Sequence, residues 1–149
     1  MRPHILFAAV LALTVASSAV AHEGATGVVK ERMEAMESMA KAVKAINQRL
    51  KQKRELDSIK AHAKTIQDGA VKMLSLFPGG SGGHPSEAKN EVWQKWPDFE
   101  AKANALATAS GKLAEQDARD VKALDAQARR VSEACGNCHE LYRTKQHQH

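Results

Sequence analysis

Apolar residues recur at spacings that alternate between three and four along four stretches of the chain. The first runs Val29, Met33, Met36, Ala40, Val43, Leu50, and the second Leu56, Ile59, Ala63, Ile66, Ala70, Met73, Phe77. The third runs Val92, Trp96, Phe99, Ala103, Leu106, Ser110, Leu113, and the fourth Val121, Leu124, Ala128, Val131, Cys135, Cys138, Tyr142. Such spacing gathers side chains on one face of an α-helix, and a narrow apolar seam suits left-handed helix bundles. The breaks agree with the stripes. Lys51 to Glu55 is a short charged connection, and Gln116 to Asp120 a short polar one with Asp117 or Asp120 as candidate N-cap. Phe77 to Pro85 holds two prolines and four glycines in nine residues, which predicts a loop. Pro97 predicts that the third helix starts there, with Val92 to Trp96 as a separate turn. No helix of this kind buries its stripe alone, and short links favour antiparallel neighbours. The expected fold is all-α: an antiparallel, up-down-up-down four-helix bundle.

Composition narrows the picture in the same direction. Aromatic residues are 4% of the 149, with a single Tyr, which starves a β-sheet and suits helices. The length fits one domain. The front of the chain reads as a removable segment. Met1 to His4 is short and basic, Ile5 to Val15 is an apolar run of signal size, and Ser17-Ser18-Ala19-Val20-Ala21 ends in small residues suited to cleavage. Residues 1–21 are therefore expected to be a secretory signal peptide, and 22–149 the exported helical domain. The run is too short for a stable membrane anchor. The expected location is a bacterial periplasm.

Two cysteines remain, and their position matters more than their number. Cys135-Gly136-Asn137-Cys138-His139 is a C-x-x-C-H sequence, the pattern of c-type haem attachment. Two thiols one helical turn apart can add to the two vinyl groups of one porphyrin edge, and the adjacent imidazole can then ligate the iron. A thioredoxin-like pair would need a βαβ context that is missing. A structural zinc site would need a matching second pair of ligands. A short disulfide within the tetrapeptide is the remaining reading for an oxidising compartment. Cys135 and Cys138 also continue the fourth stripe, so the haem is expected at the bundle core.

On these residues the chain resembles the class II c-type cytochromes, the family of the cytochromes c′, over essentially its whole exported length. The C-terminal block Cys135 to Arg143 carries most of the resemblance. Arg32 and Met36, Leu76-Phe77-Pro78-Gly79, and Glu91-Val92-Trp93 with Phe99 support it, whereas Pro97 departs from the usual pattern. The resemblance implies one covalent haem c, with thioether bonds at Cys135 and Cys138 and His139 as proximal iron ligand. It implies a distal face covered by the first helix, with Met36 at the distal position and Arg32 near the haem propionates. A second alignment, through Ile46, gives the distal place to Met33. Some members of this class ligate iron through methionine and carry electrons, while the cytochromes c′ proper bind NO or CO. Members also often pair as homodimers through the first two helices.

The remaining chemistry is modest. Trp93 and Trp96 read as helix-packing or haem-edge aromatics, and Arg143 as a proximal charge or a partner of the helix dipole. His22, if N-terminal, and the His147-Gln148-His149 tail read as solvated ends. Lysines and arginines exceed acids by 22 to 17, a net charge of +5, and are densest from Arg49 to Arg54, a stretch that could dock an acidic redox partner. No nucleic-acid recognition motif, phosphate loop or Ser-His-Asp set is present, and no enzyme is expected. Three readings follow. The first is a periplasmic single-electron carrier working with periplasmic redox partners. The second is a five-coordinate gas binder that protects against NO. The third is a haem-free exported helical module for metal binding or interaction.

Overall fold

The computed structural model describes residues 24–144. The signal segment expected over residues 1–21, His22 and the histidine-bearing tail lie outside the described residues. Five helices follow in order: α1 (Gly27–Gln52), α2 (Ile59–Met73), the single turn α3 (Glu91–Gln94), α4 (Trp96–Ala114) and α5 (Val121–Tyr142). Among the described residues there is no strand, only an isolated antiparallel bridge between Ala88 and Arg143. Among the described residues no helix is long and apolar enough to cross a membrane.

Contacts between neighbouring helices run in opposite order along each pair, which fixes their directions. Between α1 and α2, Arg49 reaches Ser58, Met39 lies against Gly69, and Arg32 reaches Leu76. Between α2 and α4, Gln67 lies against Gly111, and farther on Phe77 packs on Phe99. Between α4 and α5, Gln127 donates to the Ala109 carbonyl and Tyr142 to Asp98. The four long helices thus alternate up and down around one core. The ring is unequal, because α1 and α5 pack on each other far less than the other neighbours do.

The stripes explain three of the four buried faces. Ile59, Ala63, Ile66, Ala70 and Met73 of α2 are buried, as are Phe99, Ala103, Leu106, Ser110 and Leu113 of α4. On α5, Leu124, Ala128, Val131 and Tyr142 are buried. Each large side chain taken fully out of water contributes about 1.5–3 kcal/mol. Helix ends follow their local chemistry. Asp120 accepts from the Ala123 N–H at 2.9 Å and caps α5, whereas Asp117 pairs with Arg119 instead. Pro97 sits in the first turn of α4, where its missing N–H costs nothing, and α3 is the separate turn before it. Lys53, left-handed at φ 51°, closes α1 through N–H bonds to Arg49 and Leu50 carbonyls.

The first helix corrects the expectation. Its buried residues are Arg32, Met39, Ala42 and Ile46, not the apolar stripe Val29, Met33, Met36, Ala40, Val43, Leu50. The helix has two apolar faces about one residue apart in register. One seals the core, and the other opens elsewhere.

Candidate functional site

The second face of α1 opens onto a cavity of about 410 Å³ between α1, the start of α4 and the end of α5. That is within the usual range of about 300–1,000 Å³ for cofactor and ligand sites. Met33, Met36 and Ala40 of α1 line it, together with Phe77, Val92 and Phe99. Cys138, His139 and Tyr142 of α5 complete the wall. A mostly apolar chamber has two thioethers on one helix and a thiol and an imidazole on another.

Each functional side chain is placed by its helix. Cys135 and Cys138 are one turn apart on α5, both free thiols and both half-buried against the core. Burial pushes the Cys135 thiol up. Burial also pushes the Cys138 thiol up to about 11, with Lys102 opposing and Cys135 and Asp98 adding to the rise. Both therefore stay protonated at neutral pH. His139 moves the other way. Partial burial and then the Arg143 charge hold its imidazole below the ordinary value, against an opposing pull from Glu87. The neutral ring, the form able to ligate a metal, prevails at neutral pH.

The methionines divide cleanly. Met33 and Met36 line the cavity, whereas Met39 is buried in the core against Gly69. Arg32 is not the ordinary solvated helix charge that its position allows. It is 4% exposed, with its guanidinium 4.0 Å above the Phe77 ring and four of its N–H groups on protein acceptors. These bonds use four of the five guanidinium N–H groups, and Arg32 is among the residues lining the cavity. Burial lowers the Arg32 pKa, yet a guanidinium stays charged at any ordinary pH.

Other expectations resolve with the geometry. Trp93 and Trp96 do not line the cavity. They flank a second, shallow depression beyond Phe77, and the Trp93 indole N–H donates to the Phe77 and Pro78 carbonyls. Arg143 caps α5 through its backbone and binds Glu87 at 2.6 Å with its side chain. The basic stretch Arg49 to Arg54 lies at the far end of α1. Met36 and Arg49 are separated by about 20 Å of helix, so that stretch does not border the cavity. The sequence predicts the loop from Phe77 to Pro85 but not that Pro85, Ser86, Glu87 and Ala88 form part of the cavity lip. Its length and glycine content were the available signal. Among the described residues no cluster of three His, Cys, Asp or Glu side chains could hold a metal ion on its own.

The donor set fits a haem. Two thiols at C-x-x-C spacing, an adjoining neutral imidazole, an apolar chamber and a buried cation are the residues such a group requires.

Comparison with known proteins agrees. A family model described as Cytochrome C' matches residues 27–143. A cytochrome c-554 from Cereibacter sphaeroides is 37% identical over 73 residues, 47% of this chain and 48% of that protein. The chain spans about half the length of these c-554 relatives. Among solved structures, cytochrome c′ from Thermochromatium tepidum superposes with a TM-score of 0.73 at 26% identity, covering 79% of this chain and 95% of that one. A nitric oxide complex of a cytochrome c prime variant from Alcaligenes xylosoxidans superposes at 0.72 and 27% identity, covering 80% and 94%.

Proposed function

This chain belongs to the cytochrome c′ family, whose members bind covalent haem c, and from that premise we propose that it is a periplasmic single-electron carrier rather than an enzyme. Cys135 and Cys138 would hold the haem through their Sγ atoms, and His139 would ligate its iron on the proximal side. Met36, with Met33 as the alternative, supplies a distal sulfur. Bound there, the haem iron supplies a one-electron couple, and a methionine-histidine pair raises its potential.

The carrying observation is that α1 presents Met33 and Met36 to the same chamber into which α5 presents His139. Met36 also packs against the core, but unlike Met39, which is enclosed beside Gly69, both Met33 and Met36 line the chamber. The remaining side chains set the environment. Phe77, Val92 and Phe99 exclude water from the chamber, and Arg32 turns its charge toward the cofactor's carboxylates. His139 arrives uncharged, so no proton has to leave it when it binds metal.

A second reading, gas binding, is favoured by the nitric oxide complex among the similar structures. The two readings part at the distal sulfur. Under the electron-carrier reading, Met36→Ala converts a low-spin haem to high-spin, read in the absorption spectrum. If Met33→Ala does so instead, the distal ligand is one turn earlier on α1. If neither variant changes the spin state, methionine ligation is wrong and gas binding stands.

A further inference from the structure

The connection between α2 and α4 is long and rich in glycine, and it is held at both ends. Near its start, Arg32 of α1 donates from Nε to the Leu76 carbonyl at 2.9 Å. Its Nη1 donates to the Ser81 carbonyl at 3.1 Å and the Ser86 hydroxyl at 2.7 Å, and its Nη2 to the Ser81 hydroxyl at 2.6 Å. Near its end, the Lys89 N–H donates to the Tyr142 carbonyl at 2.9 Å, and the Thr144 N–H to the Glu87 carbonyl at 2.8 Å. Arg143 adds its bond to the Glu87 carboxylate. Between these anchors, Pro85 to Ala88 line the cavity. The segment is a strap that runs from the α1 wall to the end of α5.

The strap's own hydrogen bonds are local turns, Ser81 to the Pro78 carbonyl and Ser86 to the Gly83 carbonyl, and they do not tie it to the helices. Gly79, Gly80, Gly82 and Gly83 carry no side chains to pack, and glycine loses the most backbone freedom on ordering. Its fixed points must come from elsewhere in the fold. A planar guanidinium fork can meet four oxygens at once, which an ammonium cannot. Burying that charge is costly unless it is bonded, and here the strap supplies the bonds.

We propose that Arg32 is a positioning residue, which uses Ser81 and Ser86 to clamp the strap across the side where α1 and α5 pack least. Through it, the wall bearing Met33 and Met36 is tied to the end of α5 that bears His139. The positive charge and one Nη2 hydrogen are left for a cofactor in the cavity that Arg32 lines, but most of the fork is committed to the strap.

The test is backbone amide exchange in the haem-loaded protein, a readout independent of how the iron is ligated. A Ser81→Ala/Ser86→Ala double variant removes the acceptor hydroxyls and leaves Arg32 in place. Losing two bonds to a charged donor, together with the Ser81 hydroxyl to Pro78 carbonyl bond and the Ala88 N–H to Ser86 hydroxyl bond that Arg32→Gln leaves intact, predicts exchange about tenfold to a hundredfold faster at residues 86, 89 and 144. Ala103 and Leu106 in α4 keep their protection. Arg32→Gln reproduces the pattern, Arg32→Lys does not repair it, and Ser81→Thr/Ser86→Thr, which keeps both hydroxyls, does. Unchanged exchange in the alanine pair, with Arg32→Gln shifting only the reduction potential, assigns the guanidinium to the cofactor and overturns the clamp. Equal loss of protection through α4, or threonines no better than alanines, overturns it as well.

Discussion

Between α2 and α4, Ile66 and Ala63 are fully sealed from water, and Leu113 nearly so, whereas between α1 and α5 the apolar residues stand around a chamber. Both halves use the same three-and-four spacing. One half is finished by protein alone, and the other is finished only when a cofactor fills it. Periodicity reports that a face avoids water. It does not report what the face meets instead.

The largest effect that would test this contrast lies in the closed half. Ile66→Ala opens a hole at a site with no exposure and is expected to cost about 2–5 kcal/mol, read by denaturant unfolding. A cost near zero would mean that the α2–α4 seam is not the sealed half. Next, Gly69→Ala pushes a Cβ to within 2.8 Å of the Met39 Cγ and Sδ atoms, at the α1–α2 contact. Met39 is flexible but enclosed, so overpacking of about 1–3 kcal/mol is expected. No loss would show that α1 moves freely toward the chamber.

The third prediction concerns pH. Tyr142 is buried at the end of α5, and burial, with its hydrogen bond to Asp98, pushes the phenol up to about 12 from its ordinary 10.0. Folding therefore favours the neutral phenol. Its contribution is whole below pH 10 and is lost as pH rises toward 12. Unfolding midpoints measured across that window should fall, and Tyr142→Phe should flatten the fall. The smallest effect is at the start of α5. Asp120→Ala removes the side-chain cap on Ala123 and should cost about 1 kcal/mol.

Much of this molecule could be read from its sequence, for physical reasons that also mark where reading stopped. The helices of α2, α4 and α5 announce themselves because a closed core enforces the stripe. Pro97 marks the start of α4 because proline fits only the first turn there. The C-x-x-C-H residues are legible because covalent attachment fixes their spacing. The first helix misled for the reason the two halves differ: Met33, Met36 and Ala40 face the chamber, Met39, Ala42 and Ile46 face the core, and Arg32 is buried where the two meet. A buried arginine in a core stripe reads as polar, so the true core face was hidden. The loop was legible, but its hold on Arg32 was not, because it spans 49 and 54 positions and no local pattern encodes a contact that distant.

The central claim is a low-spin haem with sulfur and imidazole on its two sides. Its most direct measurement is the absorption spectrum of the haem-matured protein, oxidised and reduced, with and without CO. The account predicts a sharp reduced α band that CO leaves in place. A broad high-spin reduced spectrum that shifts with CO would contradict it.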